Sequence, residues 1–289
     1  MNSIFNDIKS NFKTGSSFTR LLYVNIILFV VYKLIHVPLT SFGEEHLIDN
    51  FINNYLEFPA NTNEVLNKPW TILSYMFLHD TIFHLFFNML WLYWGSKIFL
   101  QYFDNKQLIT TYIFGGIIGA ISFSLFHEYL NISDPLIGSS ASVISIIIAI
   151  ASYQPNYNIS VLFLGNIKLK HIAWFSIFLF YINLEGKNSG GNIAHLGGAS
   201  YGFIYIYLLK KGVDLSVNFY NFLSYFKFSE KNKLKKVHKK RSSKNNDDIF
   251  RNKKSDKQKK INSILEKISK SGYDSLTKEE KELLFKESK

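Results

Sequence analysis

Six stretches of this chain are apolar and bounded by charged or turn residues: 21–37, 81–102, 108–126, 140–153, 171–184 and 193–209. A bilayer core about 30 Å thick takes about 20 mostly apolar residues as a helix, and in lipid only helices and closed barrels satisfy their own backbone. The pattern therefore predicts an all-α membrane protein with six transmembrane helices. Lys9, Lys13 and Arg20 precede the first stretch as they would in a signal peptide. That stretch is long and no small-x-small cleavage site follows it, so it reads as a retained anchor.

Charge sets the expected orientation. Placing the N-terminus in the cytoplasm puts Lys9, Lys13, Arg20, Lys97, Lys106, Lys168 and Lys170 on inner segments, while the outer loops keep only Lys68 and Lys187. Both termini are then cytoplasmic. The long first outer loop, 38–79, mixes Glu44, Glu45, Asp49, Glu57 and Glu64 with Phe, Leu, Ile and Trp70, a composition suited to the outer interface.

The formal charge of +11 lies entirely beyond Lys210: residues 1–210 hold 11 Lys+Arg and 11 Asp+Glu, the rest 22 and 11. So lightly charged a first part excludes an ordinary soluble enzyme, a disordered chain and a simple nucleic-acid-binding domain; no nucleic acid is expected as partner. The absence of Cys excludes thiol nucleophiles and thiolate metal sites. After an aromatic stretch at 219–228, the Lys-rich segment 231–260 reads as a disordered linker. Ile261, Ile264, Leu265 and Ile268 then recur at helical spacing, Ser271-Gly272 interrupts them, and Thr277 with Glu280 resembles a capping box. The expected organisation is a cytoplasmic segment 1–16, a six-helix domain 17–210, a basic juxtamembrane linker 211–260 and a small helical segment 261–289. The basic tail is expected to lie near anionic lipid.

Polar groups inside spans are expensive and mark function. His84 and Asn88 are four apart and share one helix face; alone, they serve equally well as packing glue. The fourth stretch is too short to cross, about 21 Å at 1.5 Å per residue. With its inner end at the cytoplasmic surface, its Ser-rich start lies inside the bilayer, with unpaired N–H groups and the positive dipole end facing outward. His195 comes out at similar depth, roughly 10 Å below the outer surface. A hydroxyl, an imidazole and potential oxyanion donors at one depth are the parts for acyl transfer by serine. No acidic residue in a neighbouring span is available to orient His195, which predicts a dyad. Ala194, Gly198 and Gly202 form a small-residue face for close helix packing, with Ser142, Ser145 and Ala149 as the expected opposing surface; Gly115 and Gly119 read as a second packing face.

Four patches in order resemble the rhomboid intramembrane serine proteases over roughly residues 15–210. They are Trp70 in the first outer loop, His79 with His84-Leu-Phe-Phe-Asn88, Gly138-Ser139-Ser140, and Ala194-His195-Leu-Gly-Gly198-Ala-Ser-Tyr-Gly202. The resemblance implies a six-helix bundle with a water-filled cavity open to the extracytoplasmic side, in a bacterial inner membrane. It also implies cleavage of single-span membrane proteins without metal or cofactor. By position, Ser140 is the nucleophile and His195 the general base and later acid. His84, Asn88 and the Ser140 backbone N–H are the oxyanion donors. Ser139 and Ser142 are neighbouring hydroxyls that could take the nucleophile's place, and His79 is structural. Ala141 stands where Gly usually follows the nucleophile, Thr71 where an Arg commonly follows the Trp, and Ile144 where an aromatic often packs on the catalytic His. Two other readings compete: an inactive relative that binds transmembrane segments, against which the Ser140 and His195 pair speaks, and a solute or ion transporter, which predicts midplane charges and an internal repeat. Neither feature is present.

Overall fold

The computed structural model describes residues 10, 12, 15–161, 165–226 and 244–287. The chain divides into two compact units, residues 1–228 and 229–289.

Among its described residues the first unit is mainly helical, with one hairpin. In order come α1 (Ser17–Phe42), α2 (His46–Tyr55), α3 (Thr62–Asn67), α4 (Thr71–Ser74), a 3-10 turn (Tyr75–Phe77), α5 (Ile82–Phe99), α6 (Asn105–Phe126) and α7 (Ser140–Tyr153). The strands β1 (Asn158–Val161) and β2 (Gly165–Lys168) lead to α8 (Leu169–Ile182), α9 (Ser189–Lys210) and α10 (Leu215–Phe226). Each of the six apolar stretches is a helix. Among the described residues, α1 and α6 are long and apolar enough to cross a membrane, and the 14-residue α7 and α8 are apolar but shorter. Helix α1 outruns the apolar stretch: Pro38 lies inside it without ending it, and the chain turns only at Gly43.

Local chemistry sets the helix starts. Thr81 caps α5 by accepting the His84 N–H, and Asp104 with Gln107 forms a reciprocal capping box at α6. The antiparallel hairpin, which pairs Asn158 with Lys168, was not anticipated, because four-residue strands carry too little periodicity. The loop 38–79 is largely helical.

Helix α7 is the axle of this unit. Every side chain from Ala141 to Ala151 is buried, and α7 packs on α5, α6, α8 and α9. Small residues at a helix contact let two backbones approach closely. Gly198 and Gly202 of α9 do so: a Cβ on either would stand 2.2 Å from the carbonyl oxygen of Ala141 or Ser145. The opposing surface therefore starts at Ala141, and Ser142 departs from expectation by facing Gly116 of α6. Gly115 and Gly119 do pack, against Ser145 and Ala141.

Two ties fix the approach to α7. Phe58 and Leu136 exchange backbone bonds of 3.0 and 2.8 Å, and the Gly138 N–H donates to the Tyr75 carbonyl at 2.9 Å. The buried Tyr75 in turn donates its hydroxyl to the Gly116 carbonyl at 2.7 Å.

In the second unit, α11 (Lys244–Ser271), a 3-10 turn (Tyr273–Ser275) and α12 (Lys278–Glu287) follow one another. Thr277 and Glu280 make the reciprocal capping bonds, at 2.8 and 3.3 Å. The expected linker 211–260 is corrected at both ends: α10 occupies Leu215–Phe226, and α11 starts at 244, not at 261. Residues 244–260 lack apolar periodicity but contain no Gly or Pro and are rich in Lys, a good helix former. Lys9, Lys13, and the aromatic and Lys-rich residues from 227 to 243 lie outside the described residues.

Candidate active site

Ser140 is the first residue of α7, reached through Gly138, whose φ of +115° suits no other residue well. Space demands glycine there too: a Cβ would stand 2.7 Å from His84 Nε2. The cap residue Ser139 makes no side-chain bond to the helix end, leaving the first-turn N–H groups without that partner.

His195 sits two turns into α9, and its Nε2 lies 2.5 Å from Ser140 Oγ, 55 residues away in sequence. Its Nδ1 is buried and has no partner among the described residues. Phe180 of α8 packs on the imidazole, ring centroids 4.5 Å apart. An aromatic thus covers the histidine from α8, while Ile144 occupies the α7 position expected to supply one.

His84 and Asn88 line the same cavity as Ser140 and His195, a space of about 790 Å³ also bordered by residues 130–137 and 186–191. Asn88 Nδ2 donates to the His84 carbonyl at 3.0 Å within its own helix. A second, mainly apolar cavity of about 710 Å³ opens between α5, α7 and α8 and shares Asn88, Trp91, Ser140 and His195 with the first. Ser140 and His195 therefore stand in the wall between a space of mixed polarity and a mainly apolar one.

Of the two alternative hydroxyls, Ser139 has another partner and Ser142 has none among the described residues. Ser139 Oγ lies 3.2 Å from His79 Nε2, and both residues are buried. Burial, then the neighbouring His84, pushes the His79 pKa down to about 3, so this ring stays neutral. Ser142 is buried against Gly116, its Oγ without a hydrogen-bond partner among the described residues. Trp70 donates Nε1–H to the Tyr55 carbonyl at 2.7 Å, and Thr71, buried where an Arg was expected, donates its hydroxyl to the Lys68 carbonyl at 2.7 Å.

Asp80 went unnoticed in the sequence, although it stands four residues before His84. Its Oδ1 lies 2.7 Å from His84 Nδ1. Partial burial raises the Asp80 pKa, but the His84 ring and the Thr81 N–H outweigh it and hold the carboxyl below its usual range. Glu57, in the loop nearby, is pushed up to about 7 by burial and by Asp80 and Asp49. No cluster of metal-ligating residues occurs among the described residues.

The Rhomboid domain family model matches residues 66–212, about half of the chain and all of the site above. A second model, of a family of unknown function (DUF6576), matches residues 244–289. Among curated proteins, the chain is similar to Presenilin-associated rhomboid-like protein A, mitochondrial, of Danio rerio. The two are 25% identical over 167 residues, which cover 56% of this chain and 41% of that protein. The chain thus spans about two-fifths of that relative's length.

Proposed function

This chain belongs to the rhomboid family, and we propose that it is an intramembrane serine endopeptidase hydrolysing peptide bonds in or near transmembrane segments of single-span membrane proteins. The observation that carries the reading is the 2.5 Å contact of Ser140 Oγ with His195 Nε2 on the wall shared by the two cavities. His195 Nε2 takes the hydroxyl proton as Oγ attacks the scissile carbonyl carbon. The negative oxygen is received by the Ser140 N–H, His84 Nε2–H and the Asn88 amide, which must exchange the His84 carbonyl for the substrate. His195 then protonates the leaving amine. Water entering through the polar cavity gives up a proton to His195 and attacks the acyl-enzyme; the bond from Ser140 Oγ to the acyl carbon then breaks, Oγ takes the proton back from His195, and the second product leaves as a carboxylic acid.

Helices α1, α5, α6, α7, α8 and α9 form the six-span bundle, residues 17–210, with both termini cytoplasmic and the polar cavity facing out, in a bacterial inner membrane. Large apolar side chains exposed along α1, α5 and α8, among them Leu34, Phe83, Trp174 and Phe175, support lipid contact. The basic C-terminal part lies near anionic lipid. The alternative, an inactive binder of transmembrane segments, has no use for a hydroxyl and imidazole in contact.

The test is cleavage of a single-span substrate by protein reconstituted in lipid. Wild type cuts, Ser140→Ala and His195→Ala do not, and Ser139→Ala largely does. Cutting by Ser140→Ala would overturn the proposal.

A further inference from the structure

His84 is held at two points. Its backbone N–H donates to Thr81 Oγ1 at 3.2 Å, and its ring Nδ1 lies 2.7 Å from Asp80 Oδ1, which also accepts the Thr81 N–H at 2.7 Å. A carboxylate oxygen only accepts, so the ring carries a proton on Nδ1. A neutral imidazole has one N–H in all. With that proton facing Asp80, Nε2 is bare, and a bare nitrogen repels an oxyanion.

Nε2 is nonetheless the nitrogen turned to the reacting groups. It stands 2.7 Å from the place a Gly138 Cβ would occupy, and Ser140 Oγ is 3.8 Å from the same point. A ring so oriented donates to an oxygen at Ser140 only when both nitrogens are protonated.

We propose that Asp80 is the positioning residue of the oxyanion site: its carboxylate pins the His84 ring and keeps it doubly protonated, so the oxyanion meets an imidazolium N–H. The inference rests on the endopeptidase reading above. It assigns the carboxylate that His195 lacks to the donor histidine instead of the base. A charge-assisted donor is about twice as strong as a neutral one, and it matches a full negative charge. The titratable groups facing His84 are His79, whose ring centroid is 5.0 Å away, Asp80 beside it, His195 across the cavity on α9, and Asp134 and Lys187 on the far wall. Because the Asp80 side chain is 62% exposed, its removal should leave the fold's stability unchanged.

The experiment follows kcat and KM against pH for wild type and Asp80→Ala in lipid, alongside ¹⁵N imidazole spectra of both, with His84→Gln locating the His84 signals. Wild type should show two N–H signals for His84 at its pH of maximal rate. Asp80→Ala should lose roughly tenfold in kcat, less than the ~10² of losing a donor outright, with KM within about twofold. Its alkaline fall in kcat should move to lower pH, with the melting temperature unchanged. An Asp80→Ala enzyme with the wild-type pH profile, or a wild-type His84 with a single N–H at that pH, would overturn the proposal. If wild type cleaves nothing, the endopeptidase reading falls, and the ¹⁵N spectra still decide how Asp80 protonates His84.

Discussion

The ring of Phe180 lies against that of His195, centroids 4.5 Å apart and planes tilted by 55°. Nδ1 of His195 has no partner among the described residues, so this contact and the Ser140 hydroxyl help to hold the imidazole in place. Aromatic pairs of this kind are worth about 0.5–1.5 kcal/mol. Phe180→Ala should therefore lower kcat by about three- to tenfold in a proteoliposome cleavage assay, and Phe180→Tyr should preserve it. Full activity in Phe180→Ala would assign the ring to general packing.

Close approach of α9 to α7 predicts steep intolerance of bulk. Gly198→Ala and Gly202→Ala place a methyl group 2.2 Å from backbone oxygen, which cannot rotate away. Each should cost about 1–3 kcal/mol or more, read as a loss of thermal stability in detergent. Gly95→Ala, whose nearest neighbour is an Ile147 side-chain carbon at 3.2 Å, should cost much less.

Stability should change with pH in two opposite ways at His79 and Glu57. His79 takes a proton near its ordinary 6.5 when unfolded but only near 3 when folded, so its contribution is complete above 6.5 and lost as pH falls toward 3. Glu57 has the reverse sign: its pKa rises from 4.5 to about 7 on folding, so its contribution is complete below 4.5 and lost as pH rises through 7. Thermal midpoints between pH 4 and 8 should show Glu57→Gln flattening the loss above 4.5, and His79→Gln flattening the loss toward acid. A wild-type-like curve for Glu57→Gln would mean the carboxyl is solvated.

Ending the chain after Phe228 should leave cleavage intact, since Ser140, His195, His84 and Asn88 all lie in the first unit. Loss of cutting by a truncated protein that still inserts and melts normally would assign the second unit a part in turnover.

Long apolar stretches made all six helices legible, and the 140–153 boundaries emerged unchanged because Gly138 and Pro155 punctuate both ends. Ser140 and His195 were legible because a hydroxyl at a buried helix start and an imidazole among small residues have few other uses. Phe180 was not: one Phe in an apolar helix carries no mark of the face it presents. Asp80 was hidden by its position outside the span, where an acidic residue reads as solvated loop. The hairpin and the first half of α11 escaped because neither has an apolar period, only short pairing in one case and helix propensity in the other.

Treatment with a fluorophosphonate, followed by mapping of the modified peptide, tests the Ser140–His195 pair most directly. Modification on Ser140 that disappears in Ser140→Ala and falls to background in His195→Ala is the predicted result. Label on Ser139 or Ser142, or undiminished labelling of Ser140 when His195 is replaced, would contradict the account.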